Sequence, residues 1–213
     1  MTLMIIAMFP CEPFVTNAYL IGCEKTHKGI IVDPAPNSMQ KLLIAAQKHG
    51  IIIEAIFLTH SHGDHIHDVA DLVQKLDVPV YVHPLDAENM LNPGSDGIPM
   101  PFDIKGIDEV EYLEENKFYK IGDVEFTVIH TPGHSPGGVC FYFPLKKVLI
   151  SGDTLFKGTI GRLDLPGADS EKMWESLAKL NALDKETKVY PGHGETTFLK
   201  DEKWLVNPKE TFG

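Results

Sequence analysis

Ile51-Ile52-Ile53-Glu54-Ala55-Ile56-Phe57-Leu58 runs directly into Thr59-His60-Ser61-His62-Gly63-Asp64-His65. The first eight residues are nearly all apolar, which predicts a buried strand. The next seven predict a loop. A helix is expected over Asp68–Leu76, where Val69, Leu72, Val73 and Leu76 share one face, and Val78–His83 returns as a strand. Strand, loop, helix and strand of these lengths form a βαβ unit, which implies parallel pairing. The polar run therefore sits at the carboxyl end of a parallel strand, where open α/β sheets place their ligands.

Upstream, Met4–Met8, Val15–Gly22 and Gly29–Asp33 read as strands. Pro34-Ala35-Pro36-Asn37 breaks the run, Ser38 is placed to cap a helix over Met39–His49, and Gly50 stops it. Downstream, Leu85–Asp108 is rich in Pro, Gly and Asn, with a weak helical piece near Asp86–Leu91. It reads as a mobile loop over a site. Val110–Leu113, Lys117–Ile121, Val124–Ile129, Val139–Phe143 and Val148–Gly152 suggest a second sheet. Ser170 is expected to cap a helix over Glu171–Leu180. Lys188–Tyr190 reads as a last strand, and Phe198–Val206 as a closing helix started by Thr196 or Thr197. The pattern predicts an α/β fold, a four-layer αββα sandwich of two mixed β-sheets flanked by helices, as one domain spanning residues 1–213.

The bulk composition fits that reading. Apolar residues make up 43% of the 213 positions and charged residues 23%, an ordinary globular mix. The net charge of −11 argues against nucleic acid and against anionic membrane surfaces as partners. Cys11, Cys23 and Cys140 form no C-x-x-C pair and are odd in number, so a reducing, cytoplasmic setting is expected. The apolar stretch Met1–Phe9 lacks a basic flank and reads as a strand rather than a signal peptide.

His60, His62, Asp64 and His65 fall within six residues. On a regular helix His60 and His62 would point to different faces, whereas a strand-end loop can turn them to one spot. Three further groups occupy equivalent settings. His134 lies in Thr131-Pro132-Gly133-His134, Asp153 in Ser151-Gly152-Asp153-Thr154, and His193 in Pro191-Gly192-His193-Gly194. Each follows a predicted strand and is flanked by glycine, which lets backbone approach closely. Imidazole and carboxylate without thiolate suit zinc, iron or manganese. Among the other histidines, His27, His49 and His67 read as surface residues, while His83 and His130 lie near enough to the strand ends to orient a ligand. Asp33, by its own position, reads as a cap for the Pro34–Asn37 turn.

The segments T-H-x-H-x-D-H, T-P-G-H, S-G-D-T and P-G-H-G together resemble the metallo-β-lactamase-fold superfamily over essentially the whole chain. The phrase Gly152-Asp153-Thr154-Leu155-Phe156 through Gly161-Arg162 resembles the small glyoxalase II-like hydrolases. The resemblance implies two divalent metal ions, zinc first, with iron and manganese as alternatives. It implies that His60, His62 and His134 hold one, that Asp64, His65 and His193 hold the other, and that Asp153 bridges them. For Asp33 it implies, as an equal alternative to capping the turn, a buried hydrogen bond that fixes a ligating histidine. It also implies a metal-bound hydroxide attacking a thioester such as S-lactoylglutathione, with Asp64 moving a proton.

Full-length glyoxalase II carries a longer C-terminal helical region that supplies part of its glutathione site. Here Lys157, Arg162 and the loop Leu85–Asp108 are the candidate substrate contacts. Persulfide dioxygenases share the fold but use one iron, for which His60, His134 and Asp153 would form a facial triad. Flavodiiron proteins place a glutamate where His62 stands, and several β-lactamases place a cysteine where Asp153 stands. The expectation is therefore a metal-dependent hydrolase of small thioesters.

Overall fold

A computed structural model of the chain describes residues 3–213, so Met1 and Thr2 of the first apolar stretch lie outside the described residues. The first sheet comprises β1 (Met4–Cys11), β2 (Thr16–Cys23), β3 (Lys28–Val32), β4 (Ile52–Phe57), β5 (Val80–Val82) and β6 (Glu111–Tyr112), paired in that order. Its first three strands are antiparallel, and β3 through β6 run parallel. The second sheet comprises β7 (Phe118–Ile121), β8 (Val124–His130), β9 (Val139–Phe143), β10 (Val148–Gly152), β11 (Lys188–Pro191) and β12 (Thr197–Phe198). Within it only β10 and β11 are parallel.

Side chains alternate across each sheet with the period of two that a strand imposes. Tyr19, Ile21, Ile30, Val32 and Phe57 point from the first sheet into the space between the sheets. Phe126, Val128, Phe141, Phe143 and Ile150 meet them from the second. The residues between them face outward. Leu20 and Ile31 pack with Leu42, Ala45 and Ala46 of α1 (Met39–His49). After the short α2 (Gly63–Ile66), α3 (Val69–Leu76) adds Val69 and Leu72 to the same layer. Cys140, Leu149 and Val189 pack on the other side, under Met173, Leu177 and Leu180 of α5 (Ser170–Asn181). The result is the four-layer order of helix, sheet, sheet and helix.

Several local expectations are corrected. Val110–Leu113 does not join the second sheet: β6 pairs with β5 in the first, and the Leu113 N–H donates to the Val82 carbonyl. Pairing there covers the edge that β5 would otherwise leave open. Ser38 occupies the position before α1 but makes no side-chain cap. Asp68 accepts the Met39 N–H instead, at 2.8 Å. The side-chain cap of α5 is Asp169, which accepts from the Lys172 N–H at 3.1 Å.

Phe198–Val206 is not a helix. Thr197 and Phe198 pair antiparallel with β11, a 3₁₀ turn covers Lys203–Val206, and α6 (Pro208–Phe212) follows. The buried Glu202 carboxylate sets this path by accepting from Thr197 Oγ1, the Gly158 N–H and Trp204 Nε1. Leu85–Asp108 carries a 3₁₀ turn (Pro84–Asp86) and α4 (Ala87–Leu91). Buried Asn89 then stitches the loop down: its Oδ1 accepts from the Gly94 and Asp96 N–H groups, and its Nδ2 donates to the Ser61 carbonyl. The three cysteines are buried on strands and unpaired. Among the described residues no helix is long and apolar enough to cross a membrane.

Phe57 is the hinge of the interior. It stacks on Tyr81 at 4.6 Å between centroids and meets Phe126 and Phe141 edge-on at 5.3 and 5.7 Å. Phe57→Ala should destabilise the fold by about 3–5 kcal/mol in urea unfolding. A loss below about 1 kcal/mol would mean that the aromatic cluster does not hold the sheets together.

Candidate metal centre

All seven sequence-predicted site residues converge on one end of the sandwich. His60, His62, Asp64 and His65 arrive from the end of β4. His134 follows β8, Asp153 follows β10, and His193 follows β11. Three groups present ligand atoms within 4.8 Å of one another: His60, His62 and His134; His60, His65 and Asp153; Asp64, His65 and His193. Between the first and last groups stands Asp153. One of its oxygens lies 3.3 Å from both His134 Nε2 and His193 Nε2, and the other lies 3.4 Å from His65 Nε2.

Close backbone approach makes this convergence possible. Gly192 passes so near the Asp153 carboxylate and the His65 ring that a Cβ there would overlap both. Gly152 adopts φ 49° beside Thr59, a conformation glycine takes without penalty.

His60, His65, His134 and His193 are each held from behind. Thr59 Oγ1 donates to Asp33 Oδ2 at 2.6 Å, so it accepts from His60 Nδ1 at 3.1 Å. His60 therefore carries its proton on Nδ1 and turns a bare Nε2 inward. The same Asp33 accepts from His65 Nδ1 at 3.0 Å and from the Thr59 N–H at 2.7 Å. Of the two roles open to Asp33, the histidine partner is the one the structure has. His134 Nδ1 reaches the Arg162 carbonyl at 2.9 Å, and His193 Nδ1 the Phe14 carbonyl at 3.0 Å. His62 instead points Nδ1 at the site, 2.9 Å from His134 Nε2.

Charge follows burial and neighbours. Burial and the adjacent His134 lower His62 to about 3, so its ring is neutral. Burial also drives His60 well below the usual imidazole range. His193 is the opposite case. Burial would lower it, but the Asp153 and Asp64 carboxylates push it up to about 11. Burial alone would raise Asp64 and Asp153. The surrounding histidines outweigh it, and both fall below the usual carboxylate range.

The residues fit divalent metal. His60 Nε2 and Asp153 Oδ1 are buried with no hydrogen-bond partner. His62 Nδ1 and His134 Nε2 meet at 2.9 Å, close enough to ligate one cation together. Such a set releases protons, His193's among them, as it takes up metal.

Three supports were not evident from sequence. Asp86 is buried and accepts from the Ser61 N–H at 3.2 Å, Ser135 Oγ at 2.9 Å and the Gly137 N–H at 2.5 Å. It thus ties the His60–His65 loop to the His134 loop. Burial raises its pKa against the pull of those donors. Asp86 follows β5, so the strand-end rule that flagged the others would also have reached it. Thr16 Oγ1 donates to Asp64 Oδ2 at 2.6 Å, and the Phe14 carbonyl fixes His193. His83 and His130, considered as orienting residues, stack on each other at 4.1 Å and sit outside the ligand cluster. His67 is half-buried and pairs with Asp68 at 2.7 Å, rather than lying free at the surface.

Residues 11–193 match the family model of the Metallo-beta-lactamase superfamily. The chain belongs to the metallo-beta-lactamase superfamily. Within the superfamily it is 33% identical over 185 residues to the hydroxyacylglutathione hydrolase of Francisella tularensis subsp. tularensis, covering 86% of this chain and 62% of that one. The chain thus spans less than two thirds of that relative's length. The crystal structure of BLEG-1 B3 metallo-beta-lactamase is 32% identical and covers 95% of this chain and 100% of its own, with a TM-score of 0.80. TTHA1623 in a di-iron-bound form is 42% identical and covers 92% and 96%, with a TM-score of 0.78. The superfamily membership and the His/Asp cluster make this a metallohydrolase fold with a metal-binding site.

Asp86→Ala would free the two ligand loops from each other. Metal affinity, measured by competition with a chromophoric chelator, should fall about 10–100-fold. Unchanged affinity would show that the remaining backbone holds the loops in register.

Proposed function

We propose that the chain is a dinuclear metallohydrolase acting on thioesters of small molecules. The observation that carries the reading is the placement of Asp153 between two complete sets of buried ligand atoms. In this reading His60, His62 and His134 would hold one metal, Asp64, His65 and His193 would hold the other, and Asp153 would serve both. Zinc and iron both suit the donor set, and the relative solved with two irons supports iron as strongly as chemistry supports zinc. Bound there, divalent metal supplies an acidified water near neutral pH and polarises a carbonyl.

The chain's own groups do the rest. Backbone and side-chain acceptors on Nδ1 keep His60, His65, His134 and His193 aimed inward, so little reorganisation is needed at the moment of reaction. Asp64 is the proton carrier in this reading. Its carboxylate is held ionised, and the Thr16 hydroxyl fixes one oxygen. A weakly basic carboxylate takes a proton only in passing, which suits relay to a leaving group. In the net reaction water adds to the acyl carbon, a C–O bond forms and the C–S bond breaks, releasing carboxylate, thiol and one proton. A thiolate needs little acid help to leave, because thiol pKa values lie near about 8.5. The hydroxyacylglutathione hydrolase relative supports the thioester class.

The test is metal analysis coupled to hydrolysis. Two metals per chain and turnover of a thioester panel, with a β-lactam as comparison, are expected. One iron per chain with oxygen uptake on glutathione persulfide would replace this reading with a dioxygenase. Asp153→Ala should release metal and lower kcat/KM by at least about a thousandfold. Retained activity in that variant would refute the bridging role.

A further inference from the structure

Above the ligand cluster opens a cleft of about 390 Å³ with His62, Asp64, His134, Asp153 and His193 at its floor. Its walls are apolar. Ile98 and Met100 come from the loop stitched down by Asn89. Phe156, Ile160 and Leu165 come from the segment after β10, and Phe14 from the turn between β1 and β2. All but Phe14 are half-buried, and Phe14 is 43% exposed against the edge of Phe102.

The charges around this cleft are matched. Above the His/Asp floor, the cation among the described lining residues is Arg162, whose Nε and Nη2 pair with both oxygens of Asp164 at 2.9 and 2.8 Å. Just beyond Phe156, Lys157 is paired with Glu195. Both pairs are exposed and individually weak. A substrate carboxylate arriving at Arg162 would therefore exchange for Asp164's, like for like, with little net gain.

We infer that the cleft selects thioesters with an apolar acyl chain on an uncharged thiol arm, and disfavours thiol arms bearing carboxylates such as glutathione. The inference rests on the thioesterase reading for its reaction. The physical basis is complementarity. Apolar walls reward each buried methylene, and a carboxylate on the thiol arm finds the nearby cations already paired with Asp164 and Glu195.

Binding and turnover test it separately. Titration calorimetry on the metal-loaded protein should show the non-hydrolysable thioether S-hexyl-N-acetylcysteamine binding at least about fivefold tighter than S-hexylglutathione. Asp164→Asn frees the Arg162 guanidinium. It should improve S-hexylglutathione binding about threefold or more, with the neutral thioether within about twofold of its original value. For acetyl, butyryl and hexanoyl thioesters of N-acetylcysteamine, kcat/KM should rise about threefold to fourfold per methylene. Ile160→Ser should flatten that dependence.

Equal or tighter binding of S-hexylglutathione would overturn the inference. So would a kcat/KM independent of chain length, with S-lactoylglutathione the better substrate. If no thioester is hydrolysed but the thioether preference and its response to Asp164→Asn appear, the selectivity of the cleft is upheld and the thioesterase reading fails.

Discussion

The cluster is built from two sheets, and neither sheet can build it alone. The loop after β4 brings His60, His62, Asp64 and His65, while β8, β10 and β11 end in His134, Asp153 and His193. These groups meet within hydrogen-bond distances only because the apolar interior sets how far apart the sheets lie and in what register. Phe57, one turn of chain before His60, is the contact where that interior touches both halves. Close-packed interiors resist small displacements, so the spacing is held tightly.

Buried carboxylates then convert rough proximity into aim. Asp33 reaches from the end of β3 to Thr59 and His65, and Asp86 reaches from the end of β5 to Ser61, Ser135 and Gly137. Both are buried, and both use their carboxyl oxygens as acceptors that orient groups which would otherwise turn freely. The cost is acceptable because each oxygen is hydrogen-bonded. The second sheet uses carbonyls for the same purpose: Arg162 behind His134 and Phe14 behind His193.

The substrate end of the molecule obeys a different logic. The walls contribute none of the clustered ligand atoms, although the Phe14 and Arg162 carbonyls back two of the imidazoles. Those walls come from a turn, a long loop and the segment after β10, held to the scaffold by contacts such as Asn89 to Ser61 and the packing of Ile104 and Ile160. The ligand atoms thus sit at strand ends and the apolar walls on loops.

Much was legible from sequence because it is local. The run His60–His65, the glycine-flanked His134, Asp153 and His193, and the alternation that buries one face of each strand are all written in consecutive residues. What sequence could not reveal depends on partners far along the chain. Asp86 acts on residues 25 and 49 or more positions away. β6 joins the first sheet although its sequence neighbours build the second. Phe198–Val206 has the length of a helix, yet it follows the buried Glu202 into a short edge strand and a turn. The residue types alone determined the donor chemistry and the strand ends that carry it. Only the packing of sheet on sheet decided which donors share a centre, which groups hold them, and what kind of wall the substrate meets.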